Sequence, residues 1–363
     1  MIRWLFAALS LCASVGAVAC PLCLGAYQSS RADQLVELSR AVLVVPSERG
    51  YRVVEVIKGA RPPGDSIDAS AVQLKVVPAG RKPLLLVSDE TWPMWVSVGS
   101  IGAEHARWVR VIAAGKRSSA MTAEEWRDRV ALMVPYLENP EPLVAEIAYG
   151  ELAAAPYAAL LTVKTRIAAP AVRWWLGNPA LASRQSLYLL LLGIAGDAQD
   201  AARLESRLDA AWQAGSATSM GSLVAADLQL RGPARVAWVD EHYLRDGKRT
   251  TPEIEAALLA LSVHGNANAA IPRERVIQSY RLFIKERTDI AGFVAQDLAA
   301  WQYWDAVPEY VAIMKSDLRQ QYPSKLAIVA YLRQSPGANT LGIALPESAT
   351  APRAASGVPV LPQ

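Results

Sequence analysis

The sequence of 363 residues predicts an α+β protein with several domains, in which a small β-barrel precedes a run of stacked helical hairpins. Three observations support this fold class. Short apolar runs separated by Gly- and Pro-containing turns fill residues 42–113, which is typical of a small barrel or sandwich. From Thr122 onward the apolar residues recur at helical spacing instead. The helices of this second part recur at intervals of 32 to 39 residues, which indicates repeated hairpins.

The composition favours a folded protein and excludes some partners. Hydrophobic residues make up 52% of the chain and charged residues 20%, which is enough for a sizeable core. The formal net charge is only +3, and no stretch has the basic stripe that nucleic-acid binding requires. We therefore predict that nucleic acid is not a partner.

The first nineteen residues, 1–19, are predicted to be a secretory signal peptide. Arg3 gives a positive start, residues 5–15 form an uncharged apolar run, and Ala17-Val18-Ala19 is a small-x-small cleavage site. The mature protein is therefore expected in the periplasm or the extracellular space, with no membrane span after cleavage. A lipid anchor on Cys20 is the less favoured alternative, because an alanine begins the cleavage site where lipoprotein signals carry a larger aliphatic residue.

Two of the three cysteines, Cys20 and Cys23, would remain after removal of the leader. An even pair in an exported protein favours a disulfide, here within a C-x-x-C segment. A redox-active pair is a second interpretation, although no strand precedes Cys20 as in thioredoxin-like sites. Metal binding is a third interpretation, although two thiolates alone do not complete a tetrahedral zinc site.

Residues 20–117 are predicted to form an OB-like β domain with the C-x-x-C segment at its start. A short helix within residues 31–41 precedes predicted strands at 42–45, 51–57, 72–77, 83–87, 94–98 and 108–113. The strand and turn YRVVEVIKG, residues 51–59, resemble those of netrin-like and tissue-inhibitor-of-metalloproteinase-like modules. The resemblance implies that the amine and carbonyl of a mature Cys20 could cap a protease zinc. This chain has C-x-x-C where that family has C-x-C.

Residues 118–335 are predicted to form a helical-repeat domain. Thr122 and Glu125 make a capping box at its first helix. The second helices of successive hairpins are predicted near Glu141, Ala180, Ser219, Thr251, Thr288 and Pro323. This rhythm resembles that of HEAT-like repeats and implies an α-solenoid, with a non-repetitive helical bundle as the alternative. The tail, residues 336–363, is rich in Pro, Ala, Gly and Ser and is predicted to be disordered.

Signals for catalysis or for a cofactor are scarce. The three histidines, His105, His242 and His264, have no metal-ligand spacing to one another, and each is predicted to be a solvated or capping residue. The sequence contains no G-x-S-x-G elbow and no complete phosphate-binding loop. We therefore predict no enzyme activity, no catalytic residue and no cofactor, and no metal site beyond the question left open for the cysteines.

One aromatic cluster is a candidate binding patch. It consists of Trp301, Tyr303, Trp304 and Tyr310, although aromatic side chains on helices more often pack in a core. Helical-repeat proteins commonly bind other proteins on their extended surfaces. The sequence therefore predicts an exported, non-catalytic binding or scaffold protein with an unidentified protein partner. The alternatives are a thiol-redox or metal-linked protein acting through Cys20 and Cys23, and a protein similar to protease inhibitors.

Overall fold

The structure is a computed structural model that describes residues 22, 30–75, 82–91, 94–316 and 321–338. The predicted signal peptide, both cysteines of the C-x-x-C segment and the predicted disordered tail from residue 339 onward lie outside these residues. Within them the protein is a mixed α+β protein with six strands and fifteen α-helices. None of these helices is both long enough and apolar enough to cross a membrane.

The chain forms two compact units. Residues 1–237 and 249–273 make up the first unit, and residues 238–248 and 274–363 make up the second. The helices that begin in the first unit are α1 (Arg31–Glu37), α2 (Ala106–Ala113), α3 (Ala123–Met133), α4 (Pro142–Ala154), α5 (Tyr157–Leu161), α6 (Ala169–Gly177), α7 (Gln185–Ala195), α8 (Ala198–Gln213), α9 (Met220–Arg231), α10 (Val236–Val239), α11 (Thr251–Ala267) and α12 (Arg273–Glu286). The remaining helices, in the second unit, are α13 (Ala295–Ala300), α14 (Val307–Lys315) and α15 (Tyr322–Gln334). The predicted domain boundary after residue 117 falls inside the first unit and stays a prediction.

A six-stranded sheet begins the first unit. Its strands are β1 (Arg40–Ser47), β2 (Gly50–Lys58), β3 (Ser66–Asp68), β4 (Val72–Gln73), β5 (Leu84–Ser88) and β6 (Trp95–Ser100). Their order across the sheet is β3-β2-β1-β5-β6-β4, and every neighbouring pair is antiparallel except β4 and β6, which are parallel. The strands predicted at 42–45, 51–57, 83–87 and 94–98 are confirmed.

The sheet curls into an almost closed barrel because its two edge strands are close neighbours in the chain. Six flat strands would hold the edges about 24 Å apart, but only Ala69–Ala71 separate β3 from β4. A connection that short spans at most about 14 Å. The interior is filled by the alternate apolar side chains of the strands, namely Val42, Val44, Val53, Ile67, Leu84, Leu86 and Trp95.

The strand predicted at 108–113 is wrong, because these residues lie in helix α2. Their many β-branched and aromatic side chains suggested a strand. Trp108 and Ile112, one helical turn apart, are buried, whereas Val111 is 52% exposed. One apolar face at helical spacing packs against α1 and β2, so the packing of this face overrides the β-propensity of the residues.

Capping residues set several helix starts. Glu125 donates its backbone N–H to Thr122 and accepts a bond from the N–H of Thr122, so the predicted capping box of α3 is confirmed. Asp197 caps α8 in the same reciprocal way. Thr250 precedes α11 and donates its N–H to Glu253 at 2.8 Å, and the helix begins at Thr251, where its start was predicted.

Helix α9 is the central helix of the first unit and packs against α7 and α11. All its residues from Met220 to Leu228 are buried, which indicates neighbours on every side. Small residues allow this close packing. A Cβ atom on Gly193 of α7 would stand only 2.6 Å from Cα of Ala226 in α9, so glycine is required there.

A buried polar cluster attaches the N-terminal end of α1 to α3 and α4. Ser30 Oγ donates to Glu151 Oε1 at 2.6 Å, and Arg129 Nη1 donates to Glu151 Oε2 at 3.2 Å. Desolvation raises the pKa of Glu151 above its ordinary value, although Ser30 and Arg129 partly oppose this effect. The backbone N–H of Ser118 donates to Asp33 at 2.7 Å and adds a second attachment.

Candidate functional site

The four aromatic residues of the predicted binding patch lie in the second unit. Tyr310 is fully buried, and Trp301, Tyr303 and Trp304 are half-buried. Trp301 stacks on Tyr280 of α12, with ring centroids 5.6 Å apart and ring planes within 7°. Tyr280 in turn donates its hydroxyl to Asp297 at 2.6 Å, which fixes α12 against α13.

Tyr331 of α15 joins the other members of the patch. Its ring lies 5.1 Å from that of Trp304 and 5.0 Å from that of Tyr310. Its hydroxyl donates to the carbonyl oxygen of Tyr303 at 2.5 Å. The hydroxyl of Tyr310 donates to the carbonyl oxygen of Ala291 at 3.0 Å. The structure therefore brings the patch together as an aromatic core that holds α12 to α15 in place.

An open groove of about 580 Å³ lies between α12 and α14 in the same unit, and we call it the α12–α14 groove. Its apolar lining consists of Leu282, Ile284, Ala312 and Ile313. The aromatic core holds both helices, through Tyr280 on α12 and Tyr310 on α14. The groove is open to solvent, and its volume lies within the range of ligand-binding clefts.

The charged groups that line the α12–α14 groove carry a net charge of +1. They are Arg281 and Lys285, one helical turn apart on α12, and Glu309 on α14. Arg281 Nη2 donates to Glu309 Oε1 at 3.1 Å. This hydrogen bond, with help from the charge of Glu309 and from Tyr303, raises the pKa of Arg281 further above its ordinary value. The carboxylate of Glu309 is thus compensated, and the ammonium group of Lys285 gives the groove its excess positive charge.

The cysteines Cys20 and Cys23 lie outside the described residues, but Leu22 between them is described. A Cβ atom on Gly221 of α9 would stand 2.5 Å from Leu22 Cδ2 and 3.0 Å from the carbonyl oxygen of Ala256 in α11. Because a Cα–Cβ bond is about 1.5 Å long, Leu22 lies within about 4 Å of the Gly221 backbone. We call this approach the Leu22 contact. It places Leu22, one of the two residues between the cysteines, against α9 and α11.

The prediction that His264 is solvated or caps a helix is wrong. His264 is fully buried within α11, its Nε2 lies 2.9 Å from the carbonyl oxygen of Ala225, and its ring meets the edge of Tyr157. Burial lowers the pKa of His264 to about 4, although the Ala225 carbonyl opposes this shift. The imidazole is therefore neutral at neutral pH. Its spacing from Ile254 and Leu261, which are also buried, was the sequence signal for this position.

The other two histidines occupy different surroundings. His242 stacks on Trp238 in the second unit, with centroids 4.3 Å apart, and its Nδ1 lies 2.9 Å from the Trp238 carbonyl oxygen. His105, in the first unit, lies beside Glu104 and Glu141. Sequence reasoning missed this second neighbour, because Glu141 follows two intervening helices and no motif links it to His105.

Comparison of the chain with known protein families, with curated proteins and with solved structures gives no match.

Proposed function

We propose that the protein is an exported, non-catalytic binding protein that holds a protein partner on its helical part. The α12–α14 groove is the observation that carries this proposal. It combines an apolar lining with charged groups at its edge, on two helices that an aromatic core holds in place. Grooves between helices commonly receive an amphipathic segment of a partner.

The chemistry of the groove favours one kind of partner segment. Leu282 and Ile313 offer contacts to aliphatic side chains, whereas Lys285 attracts carboxylates. Glu309 is already bound by Arg281, so it repels an acidic partner only weakly. We therefore expect an amphipathic polypeptide segment with aliphatic residues on one face and acidic residues at its edge.

Two buried carboxylates in the helical part are paired with arginines and are therefore not candidate catalytic residues. Asp200 is fully buried and accepts hydrogen bonds from Arg173 at 2.7 and 2.8 Å. Asp227 is also buried and accepts one from Arg235 at 2.6 Å. Charges matched in this way stabilise the packing of helices, whereas a catalytic carboxylate needs access to a substrate.

We also propose that the helices form HEAT-like repeats of an α-solenoid. Helices α7, α9 and α11 begin at residues 185, 220 and 251, which is close to the predicted period. Gly221 faces Ala256, and Ala225, further along α9, bonds His264, further along α11. Helices α9 and α11 therefore run in the same direction, as equivalent helices of successive hairpins do.

The pairing of the strands supports an OB-like barrel. Strands β3 and β4 are separated by three residues and can be treated as one interrupted strand. The barrel then has five strands, in which the first three form an antiparallel meander. The third strand of this barrel, made of β3 and β4, pairs in parallel with the last strand, β6. The fourth strand, β5, pairs with both β1 and β6. This arrangement is that of a Greek-key barrel of the OB type.

A capture experiment with charge-reversal variants tests the proposed binding function. The immobilised mature protein is incubated with the native exported fraction, and bound proteins are identified and then purified for direct titration. We expect a specific partner whose affinity falls about tenfold or more with Lys285→Glu, because the reversed charge repels an acidic segment. The matched control is Lys325→Glu, an exposed lysine on α15 outside the groove. A partner that binds both variants equally, or no reproducible partner, would contradict the proposal.

A thiol-based function through Cys20 and Cys23 is the second candidate. The C-x-x-C spacing of the pair favours it, because this spacing is that of thiol-disulfide redox sites. The test is titration of free thiols in the mature protein, followed by assay of insulin reduction with dithiothreitol as the electron donor. Turnover that is lost in Cys23→Ser would support the thiol function. A stable, unreactive disulfide without turnover would exclude it.

A further inference from the structure

Three side chains that can bind metals converge just beyond strand β6 in the first unit. Glu104 and His105 belong to a short 3-10 turn, Ala103–His105, between β6 and α2. Glu141 immediately precedes α4. One ligand atom from each of the three residues lies within 4.8 Å of the others. The fold thus joins ligands from two separate parts of the sequence.

The imidazole Nδ1 of His105 lies close to both carboxylates. It is 3.2 Å from Glu141 Oε2 and 3.9 Å from Glu104 Oε1. This nitrogen is itself buried and has no hydrogen bond of acceptable geometry within the described residues, which is unusual for a buried polar atom. Ligands bound at about 2.1 Å to one tetrahedral zinc ion lie about 3.4 Å apart, so the observed separations suit a shared cation.

Hydrogen bonds hold the carboxylate of Glu141 in place beside His105. The Gly102 N–H donates to Oε2 at 2.9 Å, and Lys82 Nζ donates to Oε1 at 2.7 Å. Lys82 binds Oε1, whereas Oε2 is the oxygen next to His105. Oε2 therefore accepts one hydrogen bond, from Gly102, and keeps its second lone pair for a cation beside the imidazole.

Aromatic neighbours orient the imidazole. The ring of Tyr136 meets that of His105 edge-on, with centroids 5.8 Å apart and planes at 72°. Trp108 of α2 packs on Tyr136 at 4.5 Å. Side chains packed around a ligand fix its orientation and so favour metal binding. Glu104, by contrast, is 69% exposed and is free to rotate toward a cation.

We propose that Glu104, His105 and Glu141 bind one divalent transition-metal ion of the zinc type. One imidazole and two carboxylates suit such an ion, whereas Ca²⁺ and Mg²⁺ prefer oxygen ligands alone. Three protein ligands leave a fourth position for water or for a ligand from a partner. The bound ion would tie the turn after β6 to the start of α4 and so stabilise the first unit.

Titration with zinc chloride tests this site on the full mature chain. The background is Cys20→Ser with Cys23→Ser, because the thiols are a competing zinc site. Isothermal titration calorimetry should give one zinc ion per chain. Cobalt(II) should give the visible absorption of a low-symmetry nitrogen and oxygen site without thiolate bands. Zinc should also raise the midpoint of thermal unfolding.

Single variants decide whether these residues are the ligands. We expect His105→Ala and Glu104→Gln each to weaken zinc binding about tenfold or more, and His242→Ala to leave it unchanged. Glu104→Gln is the decisive variant if His105→Ala does not fold, because its side chain is mostly exposed. The proposal is overturned if the chain binds no zinc, or if Glu104→Gln binds zinc as tightly as its parent.

Discussion

Leu22 Cδ2 lies so close to Gly221 that a single Cβ atom added to the glycine would stand 2.5 Å from it. The same added atom would stand 3.0 Å from the carbonyl oxygen of Ala256. Leu22, one of the two residues between the cysteines, therefore packs against the backbone of the central helix α9. This contact attaches Leu22 to two helices of the first unit, α9 and α11.

A double-mutant cycle tests the Leu22 contact. Gly221→Ala should lower the free energy of unfolding by about 1 to 3 kcal/mol, because the added methyl group overpacks the contact. In the background of Leu22→Ala, which lacks the Cδ2 atom, the same substitution should cost clearly less. Chemical denaturation of the four proteins measures the difference. Gly177→Ala is the control, since nothing lies within 4 Å of a Cβ there and we expect little change. Equal costs of Gly221→Ala in the two backgrounds would show that Leu22 does not lie against Gly221.

Acid should destabilise the first unit through His264. Burial lowers the pKa of His264 from 6.5 in the unfolded chain to about 4. The neutral imidazole makes its full contribution to the free energy of unfolding above pH 6.5. As the pH falls from 6.5 toward 4, this contribution decreases by about 3 kcal/mol in total. His264→Gln should remove this part of the pH dependence, whereas His242→Gln should retain it. Urea unfolding between pH 7.5 and 4.5 measures both slopes, and identical slopes for His264→Gln and the parent would contradict the prediction.

Glu151 should contribute to stability in the opposite direction. Desolvation raises the pKa of Glu151 in the folded protein above its unfolded value of 4.5. Folding therefore favours its protonated form, and its contribution to stability grows as the pH falls through the raised pKa and levels off below 4.5. We therefore compare the free energy of unfolding of the parent protein with that of Glu151→Gln. The parent's advantage should be larger at pH 4.5 than at pH 7.5. A difference that shrinks at low pH would indicate that Arg129 dominates and lowers the pKa instead.

Tyr310 should be a structural residue of the aromatic core behind the groove. Tyr310→Phe leaves the Ala291 carbonyl without its hydroxyl donor and should cost about 1 to 2 kcal/mol of unfolding free energy. Tyr310→Ala removes the whole ring from a fully buried position and should cost about 3 to 5 kcal/mol. Denaturant unfolding measures both values. A negligible cost for Tyr310→Ala would show that this side chain does not pack in the core.

Four of the six barrel strands and several helix starts could be predicted from local patterns. Continuous apolar runs bounded by turn residues mark β1 and β5, and the capping box at Thr122 marks α3. The segment that forms α2 was misjudged because Val109, Val111 and Ile112 favour strands, while its packing against α1 and β2 decides the outcome.

The candidate sites were less accessible to sequence reasoning. The aromatic cluster was visible because its members are close in the chain, but the α12–α14 groove depends on how two helices pack. The Leu22 contact joins residues about two hundred positions apart, and no spacing rule links them. The same holds for His105 and Glu141, which only the tertiary fold brings within 3.2 Å.

Site-specific photo-crosslinking tests the proposed binding function most directly. A photoreactive phenylalanine analogue replaces Gln278, an exposed residue that lines the α12–α14 groove, or Tyr322, a 72% exposed residue outside it. Each protein is irradiated in the native exported fraction, and the adducts are identified by mass spectrometry. We expect the protein labelled at position 278 to yield one dominant polypeptide adduct. The added substitution Lys285→Glu should suppress this adduct, and the protein labelled at position 322 should not form it. Equal adducts at both positions, or none at Gln278, would contradict a binding function of the groove.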